Sequence, residues 1–395
     1  MQSHTQFYDQ KKLEGNSVVL SYGSYTRSQL ITLINPILSI SIAPHVMVTI
    51  YSADNFLGAR YAMSNKNNKF LKIPGFEKEF PFTIQSLRIE CACDLPDNSP
   101  VTYNIVNETT TRNGQIIGYT FYNVLPVPQI IPQSKPKPYN PTIFIIGDFG
   151  VNTTIYSCIQ EFFAQKRFSS IIVDPRGVGR SFAATSNTFA DVLQDYRFVG
   201  QLLNQFTKKP IVIGHGFGGA IAQLWALTYK FELRNMILIS TASYSIYNSF
   251  NNLSTTFASW LNNTINTSQL ATQIATTTYN TTSNECQPDV LQLDIKNSIN
   301  TSNTPTLKLF ITQNPDNNNL ALAPKYIIIP TLILVGLQDA YINVNGSLQL
   351  HQLIKNSTYI KLNTSHAPQF TESDKAYSII YRFISPTGSL YIPSI

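Results

Sequence analysis

Three positions along this chain carry most of a hydrolytic relay, with one part missing. The stretch 211–229 reads IVIGHGFGGAIAQLWALTY. An apolar run, Ile211–Ile213, ends in a glycine cluster, and Ala220, Ile221, Leu224, Trp225 and Leu227 then recur at helical spacing. This is strand, sharp turn, helix. The turn Gly214-His215-Gly216-Phe217-Gly218 has the form G-x-S-x-G, in which a strained turn exposes a serine nucleophile above a sheet. Position 216 is glycine, so the serine is absent. Downstream, Asp339 lies just past the apolar run Leu332–Val335, and His366 follows the strand-like STYIKLN. In a complete relay the serine attacks a carbonyl carbon, a histidine takes its proton and an aspartate fixes the histidine tautomer. Gly216 has no side chain with which to form an acyl- or alkyl-enzyme. Asp339 and His366 keep the makings of a general-base pair. Equally, they persist as buried hydrogen-bonded partners, since losing one strands the other.

The elements that must position these residues follow a clear rhythm. VTYNIVNE and GQIIGYTFYNV flank Arg112-Asn113-Gly114 and read as a hairpin. Six prolines between 126 and 141 make the next segment extended. Ile143–Ile146 form a continuous apolar strand ending in Gly147-Asp148-Phe149-Gly150, as suits a parallel strand buried on both faces. TIYSCIQEFFAQK reads as a helix, SSIIVDPRGVGRS as strand and loop, and DVLQDYRFVGQLLNQF as a helix. The order β-α-β-α-β predicts a parallel, doubly wound α/β sheet, with ligands at the ends of its strands.

Asp174-Pro175-Arg176-Gly177-Val178-Gly179-Arg180-Ser181 matches a D-x-R-G-x-G-x-S loop. With the elbow, Asp339 and His366 in that order, residues 100–385 resemble the α/β-hydrolase superfamily, in its esterase, lipase and epoxide-hydrolase-like branch. The resemblance implies Gly216 at the nucleophile position and Asp339 and His366 as triad partners. It implies an oxyanion hole from the backbone N–H groups of Phe149 and Phe217. It also implies that the Asn/Thr/Ser-rich insertion 241–325 is a lid. A second departure joins Gly216: the family has His-Gly where this chain has Gly147-Asp148. A carboxylate turned inward there would oppose a developing oxyanion. Glycine at the elbow relieves a backbone strain of about 1–3 kcal/mol. His215 and Phe217 do not substitute, because the elbow aims only its central residue at a substrate.

The first ninety residues have short alternating runs, polar turns and no convincing helix, and predict a β-sandwich. Tyr51, Phe56 and Gly58 stand as Tyr-x4-Phe-x-Gly, with Ser86-Leu87 following. Residues 16–92 resemble a βγ-crystallin Greek-key domain, more closely in the second key than in the first. The segment before Ser86 lacks the oxygen ligands that calcium requires, so no calcium site is expected at that key. The expected organisation is a tail over 1–15, the Greek-key sandwich over 16–92, the hydrolase-like domain over 93–385 and a tail over 386–395.

Composition narrows the function classes. The chain has 395 residues, 43% apolar and 13% charged, with a net charge of +6. It is globular, and its scattered basic residues do not form the stripe that nucleic-acid binding needs. No apolar run is long enough to span a membrane, and MQSHTQFYDQKKLEG lacks the apolar core of a signal peptide. Four cysteines form neither a disulfide framework nor a zinc set. A reducing, intracellular and cytoplasmic setting is therefore expected, and the Asn-x-Ser/Thr sequons are discounted. No metal or cofactor is expected. Three functional readings remain. The first is a pseudoenzyme that binds a small apolar or ester-like ligand under the lid, or a protein through the β-sandwich. The second is an enzyme using the His366–Asp339 dyad as general base. The third is a serine ester hydrolase inactivated by a Ser-to-Gly substitution.

Overall fold

The computed structural model describes residues 5–20, 23–44, 46–54, 60–65, 69–75, 83–91, 103–124, 140–182, 184–242, 253–278, 288–313 and 323–385. Phe56, Gly58, Cys93, most of the proline run and the expected C-terminal tail lie outside these residues. The chain forms two compact units, one of Met1–Leu95 with Asn284–Leu291 and one of Pro96–Ser283 with Gln292–Ile395.

Among the described residues, the first unit holds eight short strands and a helix. They are β1 (Thr5–Tyr8), β2 (Ser17–Leu20), β3 (Gly23–Tyr25), α1 (Arg27–Leu33), β4 (Ser39–Ile42), β5 (Val46–Tyr51), β6 (Arg60–Asn65), β7 (Leu71–Ile73) and β8 (Ser86–Cys91). They pair antiparallel in two sheets, β2-β1-β4-β7 and β3-β8-β5-β6. The third strand of each consecutive set of four thus lies in the sheet of the other set. Phe7, Ile40, Ile42, Val48, Ile50, Leu87 and Ile89 form the core of this unit. The expected N-terminal tail is corrected here: Thr5–Tyr8 is an inner strand, paired with both β2 and β4. Only Phe7 of TQFY is strongly apolar, so the alternation was too short to mark a strand. Ser86 Oγ donates to the Ala53 carbonyl at 2.8 Å, tying the last strand to the bend after Tyr51.

The second unit is built on one eight-stranded sheet. Its strands are β9 (Tyr103–Arg112), β10 (Gln115–Val124), β11 (Ile143–Ile146), β12 (Ser170–Val173), β13 (Ile211–His215), β14 (Asn235–Ile239), β15 (Thr331–Gly336) and β16 (Ser357–Leu362). Their order is β16-β15-β14-β13-β11-β12-β10-β9. β9 and β10 pair antiparallel about the turn Asn113-Gly114, whose positive φ angles of 50° and 77° suit a tight hairpin. From β12 to β16 neighbouring strands are parallel. Around the sheet run α2 (Ser157–Gln165), α3 (Phe189–Leu202), α4 (Phe217–Thr228), α9 (Val344–Leu353), α10 (Pro368–Thr371) and α11 (Ser373–Ile384). Between β14 and β15 the insertion contains α5 (Leu253–Leu261), α6 (Thr267–Thr278), α7 (Pro288–Thr301) and α8 (Thr304–Thr312). Ile143, Ile145, Ile213 and Leu332 on one face and Phe144, Val212, Met236 and Ile333 on the other are all buried, as both-faced burial of a parallel sheet requires.

The D-x-R-G loop serves the fold. Asp174 accepts from the Arg180 backbone N–H and Nε at 3.0 and 2.7 Å and from Thr153 Oγ1 at 2.5 Å. Arg176 makes a bidentate pair with Asp195 at 2.6 and 2.9 Å. Both ends of the loop after β12 are thereby anchored. Cys158, in the first turn of α2, is disulfide-bonded. Among the described residues no helix is long and apolar enough to cross a membrane.

Candidate functional site

The site sits where β11, β13, β15 and β16 end. Gly216 follows β13 directly, at φ 54° and ψ −118°, outside the regions open to ordinary residues. The spacing of the glycines is steric. A Cβ at Gly218 would lie 2.6 Å from the Gly147 carbonyl oxygen, so only glycine lets α4 start this close to β11. Register then decides what faces the elbow. Ile146 pairs with Gly214 in parallel strands. Two residues further along each strand are Asp148 and Gly216.

Asp148 fills the space that an elbow side chain would occupy. A Cβ built on Gly216 would lie 2.5 Å from Asp148 Cγ and 2.8 Å from Oδ2. The carboxylate is held on both sides. Its Oδ1 accepts the Phe217 backbone N–H at 3.0 Å, and its Oδ2 lies 3.1 Å from His366 Nε2. His366 Nδ1 is 2.8 Å from Asp339 Oδ2, while Asp339 Oδ1 accepts the N–H groups of Tyr341 and Ile342 at 2.8 Å each. Sequence reasoning brought Gly216, Asp339, His366 and Phe217 to one place. It treated Gly147-Asp148 as a separate departure, and this is corrected: the carboxylate occupies the volume that a side chain at 216 would take. The signal was present as a glycine at 216 and a carboxylate at 148, but only the strand register aligns them.

Burial and charge set the protonation of this row. Asp148 is 3% exposed, Asp339 6% and His366 0%. Burial disfavours a charged imidazole, but Asp339 and Asp148 on either side outweigh it and raise the His366 pKa to about 9. Burial likewise pushes Asp148 up, and the hydrogen bond and charge of His366 reverse this, leaving its pKa lowered. At neutral pH the raised pKa keeps the His366 ring protonated, and the lowered one keeps Asp148 ionised beside it.

A second set of contacts backs the row, and sequence reasoning missed it. The Asp148 backbone N–H donates to Tyr156 Oη at 2.8 Å, and that oxygen lies 2.9 Å from His215 Nδ1. His215 Nε2 lies 3.3 Å from the His366 carbonyl oxygen. All groups are satisfied when Tyr156 donates to Nδ1 and Nε2–H donates to the carbonyl. Burial, then the His366 charge, lower the His215 pKa to about 3, so this ring is neutral. The Tyr156 ring also explains Gly147, where a Cβ would lie 2.8 Å from it. Asp148, His215 and His366 offer ligand atoms within 4.8 Å of one another. Both His215 nitrogens are engaged, so the three fit a hydrogen-bonded set better than a metal centre.

Aromatic side chains cover the row. The Phe149 ring lies 5.7 Å from Phe217, 5.3 Å from Phe257, 6.3 Å from Trp260 and 5.8 Å from Phe310. Phe257 and Trp260 come from α5 and Phe310 from α8, so the insertion packs onto the loop after β11. Ser298 of α7 adds a polar tie, donating to the Gly150 carbonyl and accepting the Asn152 N–H, both at 2.7 Å. Beside the row lies a small, partly open pocket, with Asp148, Phe149, Phe217, Val192, Leu307 and Phe310 among its lining residues.

A mostly parallel sheet with a glycine-rich elbow, an aspartate and a histidine at successive strand ends defines a class, and comparison with known proteins agrees. The model of the alpha/beta hydrolase fold matches residues 141–373, and the chain belongs to this family. Solved structures show the same fold at low identity. A putative lipase from Acinetobacter baumannii is 20% identical, covering 71% of this chain and 91% of its own, with a TM-score of 0.56. An enol-lactonase from Burkholderia xenovorans is 18% identical over 70% of this chain and 99% of its own, with a TM-score of 0.57. A thermophilic esterase from Thermogutta terrifontis is 18% identical over 72% and 98%, with a TM-score of 0.55. No curated protein sequence matches the chain.

Proposed function

We propose that this chain is a ligand-binding member of the α/β-hydrolase fold that does not carry out serine-based ester hydrolysis. The observation that carries this reading is the Asp148 carboxylate at the elbow. It lies where a Cβ on Gly216 would fall, bonded to the Phe217 N–H and to His366. Three requirements of acyl transfer fail together. There is no nucleophile at 216. The Phe217 donor meant for an oxyanion is spent on an anion the protein supplies itself. His366, the partner that should accept a proton, is held as imidazolium. The serine-hydrolase reading gains no support, since a side chain at 216 collides with Asp148.

The retained pocket beside Asp148 supports binding of a small apolar molecule under the helical insertion acting as a lid. The exchange of β3 and β7 between the two N-terminal sheets supports a βγ-crystallin-like Greek-key module. In this reading its first key begins at β1, ahead of residue 16, and the module serves interaction. The test is direct. The full chain should resist labelling by a fluorophosphonate and should not turn over p-nitrophenyl esters; labelling or turnover lost on His366→Ala would sink the proposal.

A further inference from the structure

Among the described residues, no Lys or Arg side chain pairs with the row at the pocket edge. Two carboxylates, Asp148 and Asp339, share one imidazole between them, at 3.1 and 2.8 Å. Even with the ring doubly protonated, one negative charge remains. Backbone N–H donors from Phe217, Tyr341 and Ile342 stabilise it without cancelling it. An ionised carboxylate offers about four acceptor sites. Asp148 uses two of them, one on Phe217 N–H and one on His366. Asp148 also lines the pocket, next to the rings of Phe149, Phe217 and Phe310. Aromatic faces attract cations, most strongly where water is excluded. Arg176 is the cationic side chain among the lining residues. Its Nε and Nη2 are committed to Asp195 at 2.6 and 2.9 Å and its Nη1 to the Ser186 carbonyl at 2.7 Å. Asp195 is shared with Arg112 at 2.9 Å, and Arg176 Nη1 also lies 3.6 Å from Asp191, so two carboxylates balance the two guanidinium charges.

We infer that this pocket takes an apolar primary ammonium ion, with the N–H donors on Asp148 and the hydrocarbon body against Phe149, Phe217 and Phe310. The inference rests on the pocket being a ligand site and goes on to name the chemical class. A primary ammonium supplies both missing parts, a positive charge and donors for the open Asp148 acceptors. A neutral alcohol of the same shape supplies the apolar body and a single donor, without the charge. A carboxylate ligand meets a fixed carboxylate and is repelled.

The test uses the full chain and three ligands of closely matched size: 2-phenylethylammonium, 2-phenylethanol and phenylacetate. Binding is followed by isothermal titration calorimetry at low salt. The ammonium should bind at least tenfold more tightly than the alcohol, and the anion more weakly than both. Asp148→Asn should bring the ammonium to the level of the alcohol while alcohol binding persists, which also shows that the variant is folded. Equal affinity of alcohol and ammonium for the wild-type chain would overturn the inference and leave the ligand pocket standing. So would an ammonium preference that survives Asp148→Asn. Binding of none of the three would overturn the pocket reading, and the inference with it.

Discussion

At the scale of single residues, the site is a trade between positions 148 and 216. Glycine at 216 accepts φ 54° without strain and leaves room, and Asp148 takes the room. Gly216→Ser should therefore be costly alone, by about 2–5 kcal/mol from overpacking and backbone strain together. Asp148→Gly in the same chain should recover about 1–3 kcal/mol by removing the collision. A double-mutant cycle from urea melts measures the coupling. Additive effects would mean that the two positions are independent. The two histidines make a second residue-level prediction. Folded His366 keeps its proton to about pH 9, against 6.5 when unperturbed. Its contribution is complete below pH 6.5 and is lost as pH rises to 9. Folded His215 resists protonation to about pH 3, so its contribution is complete above 6.5 and is lost as pH falls. Stability should peak near pH 6.5 and decline on each side by up to about 1.4 kcal/mol per pH unit for each proton. Histidine NMR should show one ring titrating near pH 9 and one that stays neutral down to about pH 4. If all the imidazoles titrate between pH 6 and 7, the charge assignment of the row is wrong.

At the scale of elements, most of what positions the site was legible. The apolar runs of β11, β13 and β15 are continuous because parallel strands are covered on both faces, and the loops after them carry Asp148, Gly216 and Asp339 in chain order. The Asn-Gly hairpin announced its own turn chemistry. What stayed hidden depends on register and on side chains meeting across elements. Nothing in GDFG says that its carboxylate reaches the elbow rather than solvent. Tyr156, in a single 3-10 turn before α2, read as one more aromatic of a helix. Its hydroxyl instead joins three elements, the loop after β11, the end of β13 and, through His215, the loop that carries His366. Tyr156→Phe should leave the Asp148 N–H and His215 Nδ1 without that partner and cost about 1–3 kcal/mol. The effect should be specific as well as destabilising: the His366 resonance should shift in its titration, whereas Tyr377→Phe, on the buried face of α11, should leave that titration in place. An unmoved His366 in Tyr156→Phe would reduce Tyr156 to a packing residue.

At the scale of the molecule, each of the two units encloses its own apolar core, one around Phe7, Ile40 and Val48 and one around Ile145, Ile213 and Leu334. A unit with its own core can melt as its own cooperative step. Calorimetry of the full chain should then resolve two transitions. At about 0.7 kcal/mol per residue near 60 °C, the smaller should carry about a third of the enthalpy of the larger. Ligand binding gives the assignment. The described residues that line the pocket beside Asp148 belong to the hydrolase-fold unit, so 2-phenylethylammonium at about 100 times its Kd should stabilise that step by about 2.7 kcal/mol. The smaller step should not move. A single transition, or a shift of both steps by the ligand, would mean that the two units fold as one and that the N-terminal sheets take part in holding the pocket.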